Sequence, residues 1–219
     1  NIIDTFAEPF SLEGNSAYIS TSIGITLYPK DATEAVSLIK NADQAMYAAK
    51  NQGKNRFNFF TALMQQTAQQ RMLLVQDMRE AVKNEEFVLH YQPIVELSSN
   101  QVFKAEALIR WQHAERGLIH PGDFIPLAEE SRIINEIGDW VFLEAVKQSK
   151  HWRSTLREDF QISINTSPVQ FEHPPEFLWK EVLQSVETGG PSIGIEITEN
   201  LLMNFDQSVL NTLLEFRDV

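Results

Sequence analysis

The chain has 219 residues, 43% of them hydrophobic and 22% charged, a composition that supports packed cores and argues against disorder. Its net charge of −12 leaves too few cations to neutralise a nucleic-acid backbone, so a polymer of that kind is not an expected partner. Cysteine is absent, which excludes disulfide scaffolds and thiolate zinc sites, and no apolar run approaches the roughly 20 residues of a membrane span.

Asn1 to Pro9 lack the charged-then-apolar pattern of a signal peptide, so a cytoplasmic protein is expected, any inner-membrane anchor lying outside this stretch. Tyr18 to Tyr28 is rich in β-branched and aromatic residues and is closed by Pro29, which predicts a strand carrying Gly24. Thr33 is placed to cap a helix whose residues Ala35, Leu38, Ala42, Ala45, Met46 and Ala49 recur at helical spacing, with Gly53 at its stop. A short strand from Arg56 to Phe60 completes an α/β unit. Thr61 to Asn84, without Gly or Pro, reads as one helix joining two domains. Leu63, Met72, Val75, Met78 and Val82 fall loosely on a heptad, so a dimerising coiled coil and a plain linker both remain open.

Phe87 to Leu97 and Val102 to Trp111 flank Ser98-Ser99-Asn100-Gln101 and predict a hairpin. Helix and strand then alternate. A proline-led segment, Pro121 to Ser131, precedes a helix with Ile134, Ile137, Val141 and Ala145 on one face. The strand Gln161 to Ser167, a helix near Glu176 to Val186, the strand Ile193 to Thr198 and a helix from about Asp206 complete the chain. Such alternation predicts parallel strands with crossover helices.

The strands carry polar residues where apolar ones are expected. Alternation puts Glu106, Leu108 and Arg110 on one face, and places Asn165 and Glu196 inside two further short apolar strands. A carboxylate or amide there costs several kcal/mol if left unpaired, so each demands a partner. An internal Glu106–Arg110 ion pair would answer for one strand. A divalent cation shared by Glu106, Asn165 and Glu196 would answer for all three, and oxygen donors of this kind suit Mg²⁺ or Mn²⁺ better than zinc. His90, His113, His120, His151 and His173 show no metal-ligand spacing and are expected to be surface or packing residues.

YQPIVEL at Tyr91 to Leu97, EALIRW at Glu106 to Trp111, GLIHPGDFIPLAEES at Gly117 to Ser131, INTSPVQF at Ile164 to Phe171 and EITEN at Glu196 to Asn200 follow the order of the EAL domain family, which this part of the chain resembles. The resemblance implies the first part of a modified (β/α)8 barrel with an antiparallel first strand. It also implies hydrolysis of one phosphodiester bond of cyclic di-GMP to linear pGpG. By the same resemblance, Glu106, Asn165 and Glu196 match metal ligands, Glu106 being catalytic as well. Gln92, the backbone near Leu108, and Arg110 match contacts to the bound dinucleotide. Glu199 matches a glutamate that steadies a catalytic loop. In that family a pair of aspartates, a lysine and a further glutamate complete a two-metal site, and they would lie beyond Val219, so the chain is expected to be a piece of a longer protein. Arg132 stands where the family usually has glycine, and Ala114 replaces a frequent proline; neither is a ligand position. A receptor that binds cyclic di-GMP without cleaving it is the alternative reading.

STSIGITLYP at Ser20 to Pro29 and NADQAMYAAKNQGKNRF at Asn41 to Phe57 resemble the end of a GGDEF diguanylate cyclase domain. There the positions of Lys50 and Lys54 face a nucleotide triphosphate, which makes GTP a candidate partner; read without the resemblance, both are solvated helix-end charges. The expected organisation is a GGDEF-like segment over 1–60, a linker helix over 61–84 and the front of an EAL domain over 85–219, with an upstream sensor domain as a further candidate.

Overall fold

The computed structural model describes residues 2–6, 8–12, 14–172, 179, 182, 192–197 and 214. By contact density the chain forms two compact units, Asn1–Leu73 and Leu74–Val219.

The first unit opens with a short helix, α1 (Ile2–Thr5), and a small antiparallel hairpin, β1 (Phe10–Leu12) and β2 (Asn15–Ala17), neither of which the sequence reading anticipated. β3 (Ser22–Ile25) then pairs in parallel with β4 (Arg56–Phe59), and α2 (Ala35–Asn51) crosses between them. The predicted strand over Tyr18 to Tyr28 shrinks to four residues because β4 offers pairing only to Ser22 through Ile25. α2 begins one residue later than the Thr33 cap predicts. Glu34 occupies the N-cap position and makes no side-chain cap. Asn41, Ala45 and Ala49 are buried, and the small side chains let the helix approach β3 closely. A Cβ at Gly24 would collide with the Ala42 carbonyl oxygen and the Met46 backbone nitrogen, so no side chain fits there. Gly53 (φ +105°) follows the helix, and its left-handed backbone ends the run as expected. Lys50 and Lys54 are exposed.

α3 spans Ala62–Lys83. Of its heptad-like positions, Met78 is fully buried in the core of the second unit and Val75 and Val82 pack against that core, while Leu63 and Met72 are exposed. His113 Nε2 lies 3.2 Å from Asp77 Oδ2, and its Nδ1 accepts the backbone N–H groups of Glu115 and Arg116. This histidine joins a helix to a turn, as a packing residue does.

The second unit is a sheet backed by helices. β5 (Phe87–Glu96) and β6 (Gln101–His113) form the expected hairpin, with Asn100 (φ 55°) in its turn. β6 is parallel to β8 (Gln161–Asn165), which is parallel to β9 (Ile193–Glu196). The sheet order is β5-β6-β8-β9, and the three-residue β7 (Gly117–Ile119) also pairs with β6. The first long strand, β5, thus runs antiparallel to β6, β8 and β9, the arrangement expected for the front of a modified TIM barrel. The segment Pro121 to Ser131 is itself helical: α4 (Pro121–Glu130) places Pro121 in its first turn, where the missing N–H costs nothing. α5 (Ile134–Thr155) buries Ile134, Ile137, Val141 and Ala145 as predicted, along with Phe142, Val146 and Ser149. α6 (Pro168–Glu172) follows β8. Of the predicted helices near 176–186 and from 206, only residues 179, 182 and 214 are among those described.

Alternation decides which sheet face the core uses. Ala105, Ala107 and Trp111 of β6, with Ile162 and Ile164 of β8, are at most 3% exposed and meet Phe124, Ile137, Phe142 and Ala145 of the helices. Phe124 sits 5.7 Å from both the Phe87 and Trp111 rings. Tyr91 stacks edge-on against Trp152, and burial beside Glu144 pushes its phenol up to about 12, so it serves the core as a neutral group. Trp179 stacks on Phe142 and its Nε1 donates to Asp139 Oδ1, while burial raises the Asp139 carboxyl above its ordinary value. The opposite sheet face is left for the polar residues.

Candidate functional site

That opposite face is ordered in layers by the strand register. Glu106 of β6 lies beside Ser163 of β8, which lies beside Gly194 of β9. One layer further toward the strand ends, Asn165 pairs with Glu196. On the antiparallel side Gln92 is the direct partner of Glu106. Three neighbouring strands therefore bring Glu106, Asn165 and Glu196 to one end of one face, with Gln92 alongside.

Two of the three side chains touch. Asn165 Nδ2 donates to Glu106 Oε1 at 2.7 Å. Glu196 Oε1 lies 3.8 Å from Lys104 Nζ, both side chains being partly buried. The internal ion pair considered for Glu106 and Arg110 does not form: Arg110 Nη1 instead donates to the Ile109 carbonyl at 2.8 Å, and Glu106 takes Asn165. Glu199 lies outside the described residues.

Local contacts hold this strand end in shape. Thr166 sends both its backbone N–H and its hydroxyl to the Glu196 carbonyl oxygen, each at 3.0 Å, which clamps β9 onto the end of β8. Ser167 donates its hydroxyl to Glu129 Oε1 (2.7 Å) and its N–H to Gln170 Oε1 (2.9 Å). Gln170 lies so close to Gly138 that a Cβ there would run into its amide group. Beside these groups is a cavity of about 270 Å³ whose lining includes Leu108, Arg110, Glu129, Asn165, Ser167 and Gln170. Leu108 and Arg110 thus share a hollow with Asn165, whereas Gln92 is exposed beside Glu106 and is not among the lining residues.

Lys104, Glu129, Ser167 and Gln170 were not singled out from the sequence. For Lys104 a signal existed, since it shares the two-residue period of Glu106, Leu108 and Arg110. The pairing of Glu129 with Ser167 spans 38 positions, a separation to which periodicity is blind.

The donor set fits a hard divalent cation. Two carboxylates and an amide oxygen are ligands that Mg²⁺ and Mn²⁺ accept. Asn165 turns its nitrogen toward Glu106, and rotation of the amide would present Oδ1 instead. Among the described residues no three His, Cys, Asp or Glu side chains gather.

The model of the EAL domain family matches residues 75–218, nearly the whole second unit. The chain belongs to the EAL domain family. The EAL unit is preceded by a match to the diguanylate cyclase GGDEF domain over residues 1–56. An uncharacterised signalling protein of Caulobacter vibrioides is 37% identical over 97% of this chain. The bifunctional diguanylate cyclase/cyclic di-GMP phosphodiesterase MucR of Pseudomonas aeruginosa is 41% identical over 78% of it. The cyclic di-GMP phosphodiesterase PdeR of Escherichia coli is 37% identical over 95%. The chain spans about a quarter to a third of the length of these relatives, 26%, 25% and 31% respectively. Among solved structures, the PaMucR phosphodiesterase in complex with c-di-GMP superposes with a TM-score of 0.62 at 34% identity, over 67% of this chain and 60% of that one. The EAL enzyme Bd1971 bound to cAMP and cyclic di-GMP gives 0.63 at 28% identity, over 86% and 50%. No described helix is long and apolar enough to cross a membrane.

Proposed function

We propose that the EAL unit supplies the front of a cyclic di-GMP phosphodiesterase site, in which Glu106, Asn165 and Glu196 hold Mg²⁺ or Mn²⁺. The reading rests on one observation, the convergence of those three donors from three adjacent strands, with Asn165 and Glu106 already 2.7 Å apart. Relatives named as cyclic di-GMP phosphodiesterases supply the substrate class. When bound, such cations contribute Lewis acidity, acidifying an attacking water and offsetting charge that grows on the phosphoryl oxygens.

The chain's own residues have distinct tasks in this reading. Glu106 and Glu196 provide negative charge at the strand ends, and Asn165 adds a neutral oxygen. Arg110 uses one guanidinium hydrogen on the Ile109 carbonyl and offers others to a phosphate oxygen, for which its planar fork is suited. Gln92 and the backbone near Leu108 orient the dinucleotide, the former from beside Glu106 and the latter from the rim of the cavity. Glu199 is assigned to steadying a catalytic loop. GTP at the GGDEF segment and self-association through the exposed Leu63 and Met72 belong to the same proposal.

A second reading, a receptor that binds the dinucleotide uncleaved, draws on the way these groups satisfy one another. Asn165 donates to Glu106, and the Lys104 ammonium lies beside Glu196. Incubating the full-length protein with cyclic di-GMP and resolving the products separates the two. Linear pGpG formed with Mg²⁺ or Mn²⁺ and abolished by excess chelator is the expected result. Tight binding with no product would favour the receptor, and product formed in excess chelator would refute the cation assignment.

A further inference from the structure

Lys104 stands one layer below Glu106 on the same face of β6, beside Gln161 in the strand register. Its side chain is 25% exposed, and its Nζ lies 3.8 Å from Glu196 Oε1, two strands away. The reach across β8 is possible because the intervening positions are small. Ser163 is fully buried, and a Cβ at Gly194 would sit 3.6 Å from Lys104 Nζ and 3.9 Å from its Cε. The Ser163 hydroxyl makes no hydrogen bond, so it does not hold the ammonium in place. Among the described residues, Glu196 is the anion that Lys104 reaches.

We infer that Lys104 is a positioning residue that serves as the built-in counter-ion of Glu196 and thereby sets how tightly this site takes up a divalent cation. The inference rests on the proposed role of Glu196 as a cation ligand. In the metal-free protein the ammonium holds the Glu196 carboxylate down over Gly194 and offsets its charge. A dication arriving at Glu106, Asn165 and Glu196 competes with that ammonium for the carboxylate and is repelled by it. Partial solvent exposure of the pair keeps the competition modest, and salt screens it. Lys104 thus trades cation affinity for a site that is neutralised when empty.

The test is Mn²⁺ binding to the full-length protein, followed by the loss of the free-ion paramagnetic resonance signal. Lys104→Met keeps the apolar stem and removes the charge; it is expected to tighten Mn²⁺ binding by about threefold to tenfold, an effect that shrinks with added salt. Lys104→Arg keeps the charge and should bind Mn²⁺ as the wild type does, which a purely structural role for the lysine would not predict. In a Glu196→Gln background, where the competition for the carboxylate is gone and only the repulsion by the ammonium is left, the Lys104→Met gain should be smaller. Unchanged or weakened binding in Lys104→Met, or a gain undiminished in Glu196→Gln, would overturn the inference while leaving the site itself intact. A wild type that takes up no Mn²⁺ would instead overturn the reading of the site on which it rests.

Discussion

Glu106→Ala is expected to slow cyclic di-GMP hydrolysis by the full-length protein by about a thousandfold, the equivalent of roughly 4 kcal/mol of transition-state stabilisation. Glu106 accepts the Asn165 amide, so its loss removes a carboxylate of the proposed ligand set and also leaves that amide without the acceptor it now has 2.7 Å away. The fold should be spared. Glu106 is only partly buried and lies on the sheet face away from the core. Measured together, kcat/KM should collapse while the far-ultraviolet circular dichroism and the urea midpoint stay near wild type. Glu106→Gln, which keeps a hydrogen-bonding oxygen for Asn165 but loses the charge, should be nearly as inactive. A variant that retained a tenth or more of wild-type turnover would show that Glu106 is not a ligand required for the reaction.

A second large effect concerns stability. Phe124→Ala should destabilise the unit formed by residues 74–219 by about 3–5 kcal/mol, the range for emptying a buried aromatic site. Phe124 is 0% exposed and wedged between Phe87 and Trp111, so its removal opens a cavity where α4 meets β5 and β6. All four tryptophans of this chain, Trp111, Trp140, Trp152 and Trp179, fall in that unit and remain in the variant. The shift in a urea midpoint followed by tryptophan fluorescence therefore reports on the right part of the protein. Leu118→Ala, at a position 48% exposed, is the control and should move the midpoint little. A Phe124→Ala cost below about 1 kcal/mol would mean that this aromatic cluster is not the core of the unit.

Elements with a strong period were legible in the sequence, and those without one were not. The helical spacing of Ile134, Ile137, Val141 and Ala145 marked α5 correctly because the whole stripe is buried. The segment Pro121 to Ser131 was assigned no secondary structure, and the α4 helix it forms carries Pro126 inside it, a residue that removes a helical donor. β1, β2 and β7 have three residues each, too few for alternation to register. The strand over Tyr18 to Tyr28 was overdrawn for the converse reason. β-branched composition marks residues able to extend, while the length of a strand depends on what its partner offers, here β4 alone.

The same contrast applies at the site. Glu106, Asn165 and Glu196 stood out because each is a polar residue interrupting an apolar strand, and the register then brought them to one end of one face. The chemistry of the three donors pointed to a shared divalent cation, and the family resemblance added the dinucleotide substrate. Lys104 escaped notice because a lysine near the start of a strand reads as a solvated charge. Only the small residues at 163 and 194, on other strands, turn it inward. The Glu129–Ser167–Gln170 set was illegible because its members come together through folding alone.

The most direct trial of the account asks whether one cation needs all three strands. Mn²⁺ uptake should be measured for the wild-type full-length protein and, separately, for Glu106→Ala, Asn165→Ala and Glu196→Ala, with folding verified for each. A shared site predicts that each substitution weakens Mn²⁺ binding, by about tenfold or more for the two carboxylates. Wild-type affinity surviving in all three variants would mean that any cation the protein binds is held elsewhere, and the convergence of these side chains would then be a matter of packing.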